Sequence, residues 1–325
     1  MSEIKLPKID LTESPVSKQT LQSLQEAITN YGAFYVKTNY KDHSRLFESA
    51  GRLFKTSDMD KSELTIEPGG FTRGFIKLGG ESGSDLMELK EAFSYGATLD
   101  GQPRNKLEGD NKWPNTLALQ DKETFKDFYK ECNRISLEIS KLLSVLLTGE
   151  ETTWTELVEG GFSISLMRIF KYFGCSNPNS IGSSPHTDWG FLTLIKADEK
   201  EPALQIASEK DGKTAWHNVS AIPEGESDPS PWFIVNAGDF LAMATNGSCL
   251  SPYHRVVSTT TDRTSFVYFA YPSYECRTPS FKSNKLSFYQ DQSQPSSFKG
   301  TRMTEITTQC FGDFIHDKWS QVYRY

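Results

Sequence analysis

The chain has 325 residues, 37% hydrophobic and 12% aromatic, enough apolar matter for a sizeable core. Its 42 acidic and 35 basic residues leave a net charge of -7 without a basic run, which gives no general affinity for nucleic acid or an anionic membrane. Five cysteines, odd in number and widely spaced with no CxxC pair, suggest neither a disulfide framework nor a thiolate zinc site.

The opening MSEIKLPKIDLTESP lacks the apolar core of a signal peptide, and apolar runs such as FIVNAGDFLAMA are short and interrupted. A soluble cytoplasmic protein is the expectation. Periodicity predicts a helix over 19–31, with Leu21, Leu24, Ala27 and Ile28 on one face and Gly32 at its end. AFYVKT follows as a strand, and DHSRLFESAGRLFKT as a second amphipathic helix. EPGGFTRGFIKLGGESGSD has no helical period and reads as a long loop or irregular ribbon. Its glycines lack phosphate-loop spacing and suit a flexible active-site loop. Arg73 within it reads as solvated or as meeting an acidic substrate. KETFKDFYKECNRISLEISKLLSVLLTG predicts a long amphipathic helix. Its apolar positions include Phe125, Phe128, Tyr129, Cys132, Ile135, Ile139, Leu142, Leu143 and Leu146, with Gly149 as the C-cap.

After residue 160 the texture changes. FSISLMRIFKYF, FLTLIKA, ALQIAS, WHNVS, PWFIVNAGDFLAMATNG, YHRVVSTTT and RTSFVYFAYP predict short strands separated by turn chemistry. Such spacing suits a β-sandwich, jelly roll or barrel. The tail, TEITTQCFGDFIHDKWSQVYRY, is helical again. The expected fold is one globular unit over 1–325, mainly β with flanking α-helices: a helical or mixed region at 1–150, a β core at 160–275 and a C-terminal helix at 300–325.

The stretch SSPHTDWGFLTLIKA places His186 and Asp188 two residues apart at the head of a β-like run. On a strand they share a face and can offer a nitrogen and an oxygen to one ion. Of the histidines, His43, His186, His217, His254 and His316, only His254 lies on another predicted core strand in a similar context, SPYHRVVS. Two histidines and a carboxylate form a facial triad with open positions, suited to non-haem Fe(II). A hydrogen-bonded pair or a zinc hydrolase uses the same residue types. Arg263 and Ser265 are also two apart, in DRTSFVYFAYP. An inward arginine needs an anion, and a guanidinium fork beside a hydroxyl suits a carboxylate. A structural salt bridge is the competing reading. His217 and His316 read as non-ligands, and Asp239 in NAGDF as a turn residue.

HTDWGFLTLI, NAGDFLAMATNGSCLSPYHRVV and RTSFVYFAYP, in this order, resemble the Fe(II)- and 2-oxoglutarate-dependent dioxygenases of the isopenicillin N synthase-like superfamily. The resemblance continues through KLPKIDLT with AITNYGAFYVKT, RGFIKLGGESGSDLMELKEAFSYG and FGDFIHDKWSQVYR, so it spans most of the chain. It implies a double-stranded β-helix (jelly-roll) core. It implies that His186, Asp188 and His254 ligate Fe(II), and that Arg263 and Ser265 hold the far carboxylate of 2-oxoglutarate. Tyr172 in LMRIFKYFG matches a further contact to that co-substrate, although Phe170 stands where many plant members have asparagine. Phe269 matches a pocket-lining position. Phe71, Phe75, Trp189 and Phe191 extend the candidate wall for an apolar or ring-containing small molecule.

The implied activity is hydroxylation or desaturation of a small organic molecule by O2, coupled to decarboxylation of 2-oxoglutarate to succinate and CO2. Ascorbate is a candidate reductant. Two further readings stay open. One is an Fe(II) oxidase of the same fold that does not use 2-oxoglutarate. The other is an inactive small-molecule binding protein. Oligomeric state leaves no trace in the sequence.

Overall fold

A computed structural model describes residues 3–13, 15–66, 73–80, 87–149, 152–177, 180–198, 200–277, 300–301 and 310–322. The first part of the chain forms β1 (Lys8–Asp10), α1 (Lys18–Glu26) with a π-helical turn at Ala27–Tyr31, β2 (Ala33–Lys37), α2 (His43–Phe54), α3 (Asp58–Glu63), β3 (Gly74–Ile76) and β4 (Lys90–Gly96). Next come α4 (Leu119–Thr148), α5 (Thr153–Glu159), β5 (Leu166–Tyr172), β6 (Ile181–His186), β7 (Leu192–Ala197), β8 (Leu204–Lys210) and β9 (Lys213–Val219). The remainder is β10 (Trp232–Ala237), α6 (Asp239–Ala244), β11 (Ser251–Pro252), β12 (His254–Val257), β13 (Arg263–Ala270), β14 (Gly300–Thr301) and α7 (Phe311–Val322).

Local chemistry sets the helix ends. The Ser17 hydroxyl accepts from the Thr20 N–H at 3.1 Å, which caps α1. Gly32 ends the following turn at φ 68, where a Cβ would stand 2.2 Å from the Leu250 carbonyl oxygen. Gly149 closes α4 in the left-handed region, as its position predicts.

Eight strands form the larger sheet, in the order β1-β2-β10-β7-β13-β5-β4-β3, and four form a smaller one, β6-β12-β8-β9. Within both, only the β1–β2 pair is parallel among the described strands. The arrangement is a jelly roll with flanking helices. α4 lies on the outer face of the larger sheet. Phe125, Phe128, Tyr129, Cys132, Ile135, Ile139 and Leu143 are buried, while Leu142 and Leu146 of the expected apolar set are half-buried. The Phe128 ring lies 6.0 Å from Phe233 of β10 and 5.3 Å from Phe266 of β13. Each such side chain contributes about 1.5–3 kcal/mol by leaving water.

Strand alternation then divides β13 by face. Phe266 and Tyr268 pack against α4, while Arg263, Ser265, Val267 and Phe269 line a cavity reached by both sheets. This division matters for function, because it turns the side chains of one strand face toward the cavity.

Three features depart from the sequence expectation. The run from Trp232 to Ala244 is not one strand but β10 followed by α6. The break falls at Gly238, where a Cβ would stand 2.1 Å from the Gly190 carbonyl oxygen. A continuous apolar run is ambiguous between strand and buried helix. Second, the region before residue 150 is less helical than expected, because its strands β1 to β4 make up half of the larger sheet. β4 is buried at all seven positions, so it lacks the alternation that reveals a strand. Third, most of the glycine-rich stretch, with Phe71, lies outside the described residues, and β3 occupies part of the rest. No described helix is long and apolar enough to cross a membrane.

Candidate active site

The antiparallel register of β6 and β12 sets His186 directly opposite His254, with ring centroids 4.3 Å apart. Asp188 lies just past the end of β6, in the turn toward β7. The expected same-strand relation of His186 and Asp188 is therefore corrected: a turn, not a strand period, aims the carboxylate. Asp239 braces that turn. Its backbone N–H donates to the Asp188 carbonyl at 2.7 Å, and its carboxylate accepts from the Thr187 hydroxyl at 3.0 Å.

The Asp188 oxygens stand 3.8 Å from His186 Nε2 and 3.7 Å from His254 Nε2. One ligand atom from each of the three lies within 4.8 Å of the others. His186 Nδ1 donates to the Ser184 carbonyl at 2.7 Å, and His254 Nδ1 to the Pro252 carbonyl at 3.0 Å. A carbonyl only accepts, so each Nδ1 carries a proton, and Nε2 is the nitrogen that a metal would use. Burial, with His254 beside it, pushes His186 down to about 4, so its ring is neutral at pH 7. The buried Asp188 Oδ2 finds no hydrogen-bond partner among the described residues. Two imidazoles presenting Nε2 and a carboxylate with an orphaned oxygen fit a divalent cation of the iron type.

The adjoining cavity holds about 970 Å³, counting the part open to solvent. Arg263 and Ser265 face it from β13, in register with Tyr172 and Phe170 of β5. Arg263 is buried, its guanidinium carbon 5.2 Å from the Tyr172 ring centre. Its Nη1 has no hydrogen-bond partner among the described residues. A buried guanidinium with a nitrogen left over fits a carboxylate guest such as that of 2-oxoglutarate.

Of the expected pocket aromatics, Trp189 and Phe269 line the cavity. Phe191 does not. It is fully buried and stacks on Trp154 at 5.6 Å, because the chain turns it into the core behind the ligand turn. Phe75 is not in the cavity wall either; it packs on Phe93 at 5.1 Å. Arg73 is neither solvated nor in the cavity. It is fully buried and donates to the carbonyls of Ala97, Gly109 and Ser163, tying loops together. His217 bonds Ser208 at 2.7 Å, and His43 packs on Phe47, both away from the triad.

Among the wall residues that sequence reasoning missed are the charged Glu88, Lys90 and Arg168 and the aromatic Trp319. Glu88 and Lys90 form a buried ion pair at 2.6 Å, and Glu88 also accepts from the Ser184 N–H at 2.8 Å. Burial works to raise the Glu88 carboxyl, but Lys90 and Ser184 outweigh it and hold it below its ordinary value. Charged residues at alternate places beside an apolar strand were the available signal for this pair. Arg168 offered a similar one, at two-residue spacing from Phe170 and Tyr172. Trp319 comes from α7 and had none.

Two family models match the chain. One, described as the N-terminal part of the non-haem dioxygenase in morphine synthesis, matches residues 6–116; the other, the 2OG-Fe(II) oxygenase superfamily, matches residues 163–272. Together they span about two thirds of the chain. Homoarginine-6-hydroxylase 2-ODD-C23 of Glycine max is 28% identical over 278 residues, 80% of this chain and 79% of that protein. A full-length Neurospora crassa protein, solved with alpha-KG and thymine, superposes with a TM-score of 0.75 at 19% identity, covering 97% of this chain and 96% of that one. JOX2, solved with 2OG, Fe and JA, superposes with a TM-score of 0.69 at 24% identity, covering 85% and 77%. These two structures share the fold, and their guests are small molecules. With both family models in place around a metal-fit triad, the chain belongs to the 2OG-Fe(II) oxygenase superfamily and is an Fe(II)- and 2-oxoglutarate-dependent dioxygenase.

Proposed function

We propose that His186, Asp188 and His254 are the iron ligands, and that Arg263, Ser265 and Tyr172 hold the far carboxylate of 2-oxoglutarate. One observation carries this reading. Both histidine Nδ1 atoms are tied to backbone carbonyls, so both Nε2 atoms are left for one point beside the Asp188 carboxylate. A ligand set on one face leaves the opposite positions open to co-substrate and O2. When bound, iron and 2-oxoglutarate supply the oxidising chemistry, which releases succinate and CO2.

The chain's own residues bind, orient and exclude water. Arg263 offers a planar fork, Ser265 a hydroxyl on the same face, and Tyr172 a ring against the guanidinium. Trp189 and Phe269 form an apolar wall for a small organic substrate. Hydroxylation is the outcome we assign as the default, and desaturation would use the same ligands. Five free cysteines support a reducing compartment, and we assign the cytosol.

The test is succinate formation from 2-oxoglutarate by Fe(II)-loaded protein across a small-molecule panel, with metal content measured alongside. Substrate turnover that proceeds without 2-oxoglutarate and yields no succinate would overturn the assignment of Arg263 and Ser265.

A further inference from the structure

The two histidines of the triad are held unequally by the sheet. β12 is paired on both sides, with His254 opposite His186 of β6 and Ile206 of β8. β6 is the edge of the smaller sheet. The side chains differ accordingly: His186 is 39% exposed and His254 5%. β6 is also irregular. Two steps along β12, from His254 to Val256, face three along β6, from His186 to Ser183. The extra residue makes a bulge, which bends a strand and re-aims the side chain beside it. It falls at Ser184 and Pro185, and Pro185 has no N–H to offer a partner.

Glu88 and Lys90 meet the open side of this bulge. Their segment runs beside β6, where the Leu89 N–H donates to the Ile181 carbonyl at 2.9 Å. The Glu88 carboxylate accepts from the Ser184 N–H at 2.8 Å and from the Lys90 ammonium at 2.6 Å. Lys90 also donates to the Ser183 hydroxyl at 3.3 Å. The Ser184 carbonyl in turn accepts from His186 Nδ1 at 2.7 Å. Glu88 therefore pins Ser184 at its N–H, and Ser184 fixes the ring of His186 at its carbonyl. Glu88, Lys90 and Ser184 are all buried, where a hydrogen bond is stronger than in water and an N–H without an acceptor is costly. Lys90 opens β4 and is in register with Tyr172 of β5, so the contact joins the two sheets beside the triad.

We propose that Glu88 is a positioning residue for the metal centre: through the Ser184 N–H it sets the bulge that aims His186 Nε2, and Lys90 keeps the carboxylate in place. The proposal rests on the assignment of His186 as an iron ligand. Glu88 acts through Ser184 and is not itself a ligand. His254, secured by strands on both sides, does not depend on it.

The test is calorimetric titration of Co(II) into metal-free full-length protein, with the visible spectrum of the bound ion recorded alongside. Two double variants remove the ion pair as a unit, so that neither leaves a buried charge unpaired. Glu88→Gln with Lys90→Met keeps an acceptor for the Ser184 N–H. Glu88→Leu with Lys90→Met has the same charge and a similar size but no acceptor. The leucine variant is expected to bind Co(II) about 10- to 100-fold more weakly than wild type, with a changed spectrum, and the glutamine variant within about threefold of wild type. Ring 15N spectra of the metal-free proteins give a readout that a general loosening of the fold would not. In the leucine variant His186 should lose its fixed Nδ1–H tautomer while His254 keeps its own. Equal Co(II) affinity in the two double variants overturns the proposal, and so does loss of both tautomers together.

Glu88→Asp covers a leucine variant that does not fold. It keeps a charge for Lys90 on a side chain one methylene shorter, and should bind Co(II) about 3- to 10-fold more weakly. Wild-type affinity in Glu88→Asp overturns the proposal. His186→Ala separates it from the reading beneath it. Stoichiometric Co(II) uptake by that variant sinks the assignment of His186. Uptake lost there but unchanged in the leucine variant sinks the role of Glu88 alone.

Discussion

Replacing Arg263 with alanine should weaken 2-oxoglutarate binding by about two orders of magnitude and leave the metal site intact. The guanidinium is 5% exposed, its Nη1 has no hydrogen-bond partner among the described residues, and it sits on β13 while both histidines come from the other sheet. A hydrogen bond to a charged group is worth about 1.5–3 kcal/mol. Removing both prongs of a guanidinium–carboxylate pair, with water partly replacing them, costs about 3 kcal/mol, or roughly 100-fold in affinity. The variant without ligands should be no less stable than wild type, because an uncompensated buried charge has been removed. The assay is a titration of 2-oxoglutarate into Mn(II)-loaded protein, followed by the KM for 2-oxoglutarate in the Fe(II) enzyme. Thermal melts with and without the co-substrate complete it. A KM within about threefold of wild type would refute the clamp. So would loss of metal, since it would mean that Arg263 supports the triad instead.

Asp188→Asn and His186→Ala should each lose stoichiometric Fe(II) in elemental analysis while keeping the wild-type circular dichroism spectrum; full metal content in either would remove that residue from the ligand set. Glu88→Gln leaves the Lys90 ammonium buried without its carboxylate and should cost about 3–5 kcal/mol in urea unfolding. The double variant Glu88→Gln with Lys90→Met should recover much of that loss. His43, buried against Phe47 and pushed down to about 4 by burial and by Lys196, makes stability pH-dependent. Its unfolded form takes a proton near 6.5, which the folded form refuses until about 4. The contribution is therefore intact above about pH 6.5 and declines as pH falls toward 4. Metal-free protein should lose stability from pH 7 to pH 5, and His43→Phe should lose less; an unchanged slope in the variant would refute the assignment.

Much of the fold was legible because its elements announce themselves locally. The 3.6-residue period of the α4 segment, the Gly149 cap and the short apolar strands after residue 160 are all properties of neighbouring residues. β4 was not legible, because a strand buried on both faces loses its alternation. α6 was hidden for a related reason: an apolar run carries no sign of where strand becomes helix, and the steric contact at Gly238 that decides it involves Gly190, far off in sequence.

For the site, residue types and spacing made His186, Asp188, His254, Arg263 and Ser265 candidates, since metal and carboxylate chemistry restrict which side chains can serve, and the family resemblance supplied their proposed roles. Strand spacing nevertheless misstates how the first pair comes together, because Asp188 is aimed by a turn that Asp239 braces. Arg73 shows the same limit: a charge in a glycine-rich stretch gives no hint that three distant carbonyls will claim it.

By itself, then, the sequence determined what can be read within a few residues: helix and strand periods, turn chemistry and the inventory of ligating groups. Tertiary structure alone decided which of them meet. The β6–β12 register sets His254 opposite His186, two backbone carbonyls choose the histidine tautomers, and α7 carries Trp319 onto Arg168. Covalent geometry governs neighbours along the chain, whereas contacts between distant segments follow from how whole faces pack, and no short pattern encodes that.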